Sequence, residues 1–324
     1  MNHKPRASDV WVIWGMIGAV VLPALLALGT VVRPAQVTLP PDPTPLGYTW
    51  SLLLFIVPAG LLGWWFARNR GVRVEQKAFA MTILAFVCAG FLLDIVFGNT
   101  FFTFPNHQAT LQIYLPGYDF QQGWRVDLPI EEFAFYIFGA LFMLLLYVWG
   151  DLYWFGAYKV PIAPDDGGKL VRPHLASLLI GLGLIAGAIV FKKFGPHPYH
   201  AGFPGYFTLL VLAAVIPSAL FFPTARPYVN WRSFSFTLFA LLLISLVWEA
   251  TLGVPYQWWG YNDDQMMGLL IDAWSYLPVE AVLLWFAAGW GTVILYATLR
   301  VHYHTAQTFG QSFLRGSGSG AAHD

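Results

Sequence analysis

The sequence predicts an all-α integral membrane protein of about eight transmembrane helices, arranged as two parallel repeats with aromatic-rich loops on one side. Three observations carry that expectation. The chain of 324 residues is 57% hydrophobic and only 10% charged, against about 25% charged in soluble domains, and its mean hydropathy is +0.59. Eight apolar segments approach the roughly 20 residues needed to cross a bilayer. Two of them, far apart in the chain, open on a shared Leu-Pro-x-Glu motif.

The first expected span, residues 10–32, follows Lys4 and Arg6. It is longer than a signal-peptide core and no clear small-residue cleavage site follows it, so it reads as a retained span. The second and third, 48–67 and 78–98, are separated by Arg68, Arg70, Arg73 and Lys77. The fourth, 128–149, is separated from the short fifth, 175–191, by Lys159, Lys169 and Arg172. The sixth and seventh, 204–223 and 233–253, flank Arg226 and Arg232, and the eighth, 277–297, precedes Arg300 and Arg315. The opposite connections hold only Arg33, Arg125 and the pair Lys192-Lys193. Basic residues concentrate on the cytoplasmic side, so both termini are expected there, in a multi-pass protein of the cell membrane. The long loops 99–127 and 254–276 fall on the far side. They are rich in Trp, Tyr, Phe, Pro and Gly, and so are expected to pack over the bundle as a cap. Gly316 to Gly320 read as a flexible tail.

The halves divide at residues 1–160 and 161–305, with 306–324 as the tail. Asp94, late in the third span, corresponds to Glu249, late in the seventh. Gly98 or Gly253 follows, then an aromatic loop, then Leu-Pro-(Ile/Val)-Glu. The first copy ends at Leu128-Pro129-Ile130-Glu131-Glu132-Phe133 and the second at Leu277-Pro278-Val279-Glu280-Ala281. With four spans in each half, the repeats share one orientation and relate by a pseudo-two-fold along the membrane normal.

Asp94, Glu131, Glu132, Glu249 and Glu280 should therefore lie at similar depth. Charges at bilayer depth are costly and usually functional. One buried carboxyl can stay protonated as an acid while a neighbour serves as base. A plainer reading also stands: proline favours the first helical position, and a glutamate just after it suits the helix dipole or a capping box. Asp94 and Glu249 could likewise reach the interface from the span ends, and Asp263, Asp264 and Asp272 read as solvated loop residues. Glu131 and Glu132 point about 100° apart on a helix, so one faces the interior and the other takes a capping or supporting part.

These residues resemble the small membrane-embedded lycopene cyclases found as paired bacterial subunits, fused archaeal proteins and the cyclase part of fungal bifunctional enzymes. That family repeats an acidic residue late in a helix, an aromatic loop and Pro-x-Glu-Glu. Here the first copy runs from Leu93-Asp94 through Phe102-Thr103-Phe104-Pro105 to Pro129-Ile130-Glu131-Glu132. The second runs from Trp248-Glu249 through Tyr256-Gln257-Trp258-Trp259-Gly260-Tyr261 to Pro278-Val279-Glu280. The resemblance covers about two thirds of the chain. Ala281 stands where the family usually has a second glutamate, the stretch around Pro116-Gly117-Tyr118-Asp119 is extra, and the first and fifth spans are additional.

The resemblance implies redox-neutral ring closure of a linear, lycopene-type polyene end through a carbocation, without a cofactor. Glu131 or Glu132 would be the acid, with Asp94, Glu249 and Glu280 as base or supporting groups. Phe102, Phe104, Trp258, Trp259 and Tyr261 would contact the substrate, a long apolar polyene or isoprenoid reached from the lipid bilayer. The alternatives are a diverged isoprenoid enzyme such as a hydratase, and a non-catalytic proton-coupled transporter or carotenoid-binding protein.

Other classes fit poorly. Net charge is zero, with 17 basic and 17 acidic residues, so no basic face for nucleic acid exists. The single Cys88 excludes a disulfide framework and a cysteine-based metal site. His107, His174, His197, His200, His302 and His304 all fall outside the expected spans, which disfavours a bundle haem or di-iron site. Asn262-Asp263-Asp264 lacks the second Asp-rich motif of a metal-dependent prenyltransferase. Gly183 and Gly187 lie inside a span with no preceding strand, where close helix packing is the expected use.

Overall fold

In a computed structural model, the described residues are 44–69, 71–163, 168–305 and 308–315, with Gly18, Leu22 and Leu26. The rest of the expected first span, Lys4, Arg6, Arg33, Arg70 and the Gly316–Gly320 stretch lie outside them. Among the described residues, seven helices are long and apolar enough to cross a membrane: α1 (Gly47–Arg68), α2 (Gln76–Phe101), α3 (Ile130–Trp154), α4 (Leu175–Phe194), α5 (Gly205–Ala225), α6 (Trp231–Gly253) and α7 (Val279–His304). They match the second to eighth expected spans, including the short fifth.

Three short antiparallel pairs join them at one end of the bundle. They are β1 (Phe102–Thr103) with β4 (Gly260–Tyr261), β2 (Tyr114–Asp119) with β3 (Gly123–Pro129), and β5 (Leu270–Ile271) with β6 (Leu277–Pro278). Both Pro129 and Pro278 sit in extended conformation just before a helix, where a fixed φ and a missing N–H cost nothing. The next amide in each case is bound by the preceding loop: Ile130 N–H donates to the Ile113 carbonyl at 2.9 Å, and Val279 N–H to the Leu269 carbonyl at 3.0 Å.

The halves interlock through matching contacts. Asn106 donates from its backbone to the Gln257 carbonyl and from its side chain to the Tyr256 carbonyl. Asn262, its counterpart, donates in the same way to Phe101 and Thr100. The β1–β4 pair, Phe102 to Tyr261 and Thr103 to Gly260, lies between these clasps. Within the halves, α1 packs on α3 and α5 on α7; across them, α2 packs on α7 and α3 on α6.

Three details depart from expectation. The β2–β3 hairpin packs on the end of α2, where Phe120 stacks on Phe97 at 5.5 Å, but its tip stays open, leaving Phe120 and Trp124 58% and 66% exposed while Leu128 is buried. The eighth span was expected to end at 297, but α7 continues to His304, so His302 and His304 occupy its last turns. No glycine or proline interrupts that stretch, and Arg300 is anchored there by Glu75 and Asp151. Part of the segment expected as tail is folded: Gly310–Arg315 forms a helical turn, tied down where Leu170 N–H reaches the Ser312 carbonyl at 2.8 Å and His302 Nδ1 meets Ser312 Oγ at 2.8 Å.

Candidate functional site

A cavity of about 350 Å³ lies at the loop end of the bundle and runs down between α2, α5 and α7, within the size range of small-molecule sites. Its walls are apolar and aromatic. Its loop end gathers three carboxylates: Asp94 from α2, Glu132 from α3 and Glu249 from α6.

Each is held differently. Glu132 Oε1 accepts a hydrogen bond from the Tyr48 hydroxyl at 2.6 Å. Glu249 Oε2 accepts two, from Trp259 Nε1 at 2.9 Å and the Tyr261 hydroxyl at 2.8 Å. Asp94 is buried beside Tyr136, and neither of its oxygens is within close hydrogen-bond geometry of a donor among the described residues. Such a group is costly to bury unless it carries a proton or meets a ligand. Burial, with Glu249 beside it, pushes the Tyr261 hydroxyl well above the ordinary phenol range, so Tyr261 stays a hydrogen-bond donor to Glu249.

Local structure places these groups. Residues Leu246–Gly253 of α6 form a π-helical stretch, a widened turn often found at functional positions, and it carries Trp248 and Glu249. Gly253 lets the Trp259 indole lie directly over the helix; a Cβ there would overlap the ring. Gly90 in α2 gives Tyr136 the same close approach beside Asp94. Trp248 and Trp259 meet at a centroid distance of 4.5 Å, and Tyr48 lies 4.9 Å from Trp259.

The two remaining acids point elsewhere. Glu131 is buried outside the cavity lining and accepts from Thr49 Oγ1 at 2.5 Å and from the Leu111 amide at 2.7 Å. Glu280, its counterpart, accepts from the Met267 amide at 2.5 Å. Each pins its loop just before a left-handed residue, Gln112 (φ 59°) in one half and Gly268 (φ 96°) in the other. The adjacent glutamates thus divide the work: Glu132 faces the cavity and Glu131 ties down a loop.

Of the expected contact residues, Phe102, Trp259 and Tyr261 line the cavity. Phe104 is buried in the core beneath the loops. Trp258 turns away, its indole donating to Thr44 Oγ1 at 2.6 Å. Sequence reasoning missed Tyr48, Tyr136, Tyr206 and Trp248, which also line the cavity. The signal for two of them was present: Gly47-Tyr48 and Gly205-Tyr206 open matching helices in the two halves. Among the described residues, no group of three or more His, Cys, Asp or Glu is placed to hold a metal ion.

Compared with protein-family models, curated proteins and solved structures, the chain has no match. It is a multi-helix protein of membrane type, and its site is defined by its own geometry.

Proposed function

We propose that this protein is an acid-initiated cyclase that closes a ring at the end of a linear, lycopene-type polyene. One observation carries the reading: three carboxylates from three helices meet at one end of an otherwise apolar, aromatic-walled cavity. Glu132, oriented by Tyr48, delivers a proton to the terminal trisubstituted double bond, and Asp94 beside it is the proton reservoir. A tertiary cation forms. An internal double bond attacks it, a carbon–carbon bond closes the six-membered ring, and the cation moves to a ring carbon. Glu249 removes a proton from the adjacent carbon and restores a double bond. One proton enters the substrate and one leaves, with no electron transfer and no water consumed. Glu249 suits the base because two donors stabilise its negative form. Asp94 suits the reservoir because it is buried at the same end of the cavity as Glu132.

The aromatic faces of Trp248, Trp259, Tyr206 and Phe102 line the same cavity and suit a transient cation, which is attracted to the negative face of a ring. A dry cavity would keep water from capturing that cation; admitted water would give a hydratase. In this reading the chain lies in the cell membrane with both termini cytoplasmic, as the distribution of basic residues favours.

The test is pigment chromatography after expression in lycopene-accumulating bacteria, with wild type beside Glu132→Gln and Glu131→Gln. Cyclic carotenoids are expected from wild type and none from Glu132→Gln, while Glu131→Gln keeps ring formation in proportion to the folded protein. Unchanged lycopene with abundant wild-type protein would overturn lycopene cyclisation.

A further inference from the structure

The equivalences that align the acids of the two halves also align their walls. Asp94 with Glu249 sets α2 against α6, Glu131 with Glu280 sets α3 against α7, and Tyr48 with Tyr206 sets α1 against α5. In that register, the cavity residues Ala213, Ala287 and Gly291 correspond to Phe55, Phe138 and Phe142 of the first half. Three small residues in one half are matched by three aromatic rings in the other.

The consequence is visible in the packing. In the first half, Phe55 stacks on Trp285 at 5.4 Å and 13°, and meets Phe142 at 6.4 Å and 62°. Phe55 and Phe142 are both buried in the main aromatic core, and Phe138 packs against it. That space is filled. In the second half, the lining along α7 runs from Leu284 to Leu295, roughly 16 Å at 1.5 Å per residue. Leu212 and Ile216 border it and are 40% and 53% exposed, on a helix apolar enough to face lipid. The slot is therefore open sideways, with its carboxylates gathered at its loop end. Its length is about half the ~30 Å hydrocarbon thickness of a bilayer.

We propose that the protein binds one linear polyene, by one end, in the slot between α2, α5 and α7, with the rest of the molecule left in the lipid. Ala213, Ala287 and Gly291 open this slot, and Phe55, Phe138 and Phe142 keep its counterpart shut. The two ends of a symmetric polyene then react in separate visits, and the singly cyclised product must leave and turn round between them. This rests on reading the cavity as a polyene site, but not on the ring closure itself.

The experiment uses the full-length chain with Glu132→Gln, to prevent turnover, purified in detergent and titrated with lycopene. Bound pigment per chain is read by visible absorption after free pigment is removed. One polyene per chain is expected. Ala213→Phe, which places a ring at the slot's exposed mouth, should weaken binding about tenfold or more; Ala213→Leu is the milder variant should the phenylalanine fail to fold. Phe239→Leu, on an exposed face of α6 outside the slot lining, should leave binding unchanged. Two polyenes per chain, no binding, or full binding in folded Ala213→Phe or Ala213→Leu would each overturn the proposal. One polyene per chain without ring products from the wild-type chain would remove the cyclase reading and leave the slot standing.

Discussion

Asp151 and Arg300 stand at equivalent positions in the two halves, each the same number of residues past the glutamate that opens its helix, and they pair with each other. Arg300 Nη1 lies 3.4 Å from Asp151 Oδ2, and both side chains are almost wholly buried. Arg300 Nε also reaches Glu75 Oε1 at 3.0 Å. Just above them Tyr147 and Tyr296, equivalents in the same sense, meet edge-on with centroids 6.1 Å apart. At this end of the bundle the likeness of the two sequences gives way to opposite charges, so that the same position in each half is complementary to the other.

Removing one partner of this buried pair should cost far more than the pair itself contributes, because it strands a charge. Arg300→Ala is expected to destabilise the protein by about 3–5 kcal/mol. Thermal unfolding in detergent measures this, and a melting temperature equal to wild type would refute it.

Glu132→Gln keeps the shape and the hydrogen bond from Tyr48 but removes the transferable proton. Ring formation should fall by about 10²–10⁴-fold, the usual size of a general-acid contribution. Tyr48→Phe should have a smaller effect, of order tenfold, through loss of one hydrogen bond to a charged or polar acceptor. Both are read as product per unit of folded protein. Equal losses from Glu131→Gln and Glu132→Gln would contradict the division of roles between these neighbours.

Glu131→Ala and Glu280→Ala should act on stability. Each leaves a loop amide, Leu111 or Met267, without its carboxylate acceptor, at about 1–3 kcal/mol. Limited proteolysis should find faster cleavage in the Asn106–Ile113 segment for the first and in Asn262–Leu269 for the second. Unchanged cleavage in both would refute the pinning role.

Gly253→Ala forces a methyl group into the Trp259 ring. The indole must then withdraw and lose its bond to Glu249. The expected signs are altered tryptophan fluorescence and a lowered yield of cyclic product, with Gly18→Ala, at a position with open space, as the silent control.

Much of the fold was legible because hydropathy alone marks a span, and the seven described helices lie where they were expected, α7 alone running well past its expected end to His304. The repeat was legible through Asp94, Glu249 and the two Pro-x-Glu entrances. The division between Glu131 and Glu132 was legible only as a 100° difference; which one faced inward depended on where the 106–113 loop crossed. The aromatic contacts were harder still. Trp258 and Trp259 are neighbours of identical chemistry, and only the Thr44 hydroxyl on one side and Glu249 on the other sort them. The exposed tip of the β2–β3 hairpin and the folded Gly310–Arg315 turn were missed because short strands and a docked turn leave little periodic signal.

The clasp between Asn106 and the end of α6 also sets a clock on folding. Asn106 waits for a carbonyl 150 residues later in the chain. At about 5–20 residues per second, a ribosome needs on the order of ten seconds to supply it. For that interval Asp94 sits in a nascent half-bundle whose roof and far wall have not been made. Whatever receives the emerging chain in the membrane must tolerate an acidic, unroofed helix end until the second half arrives.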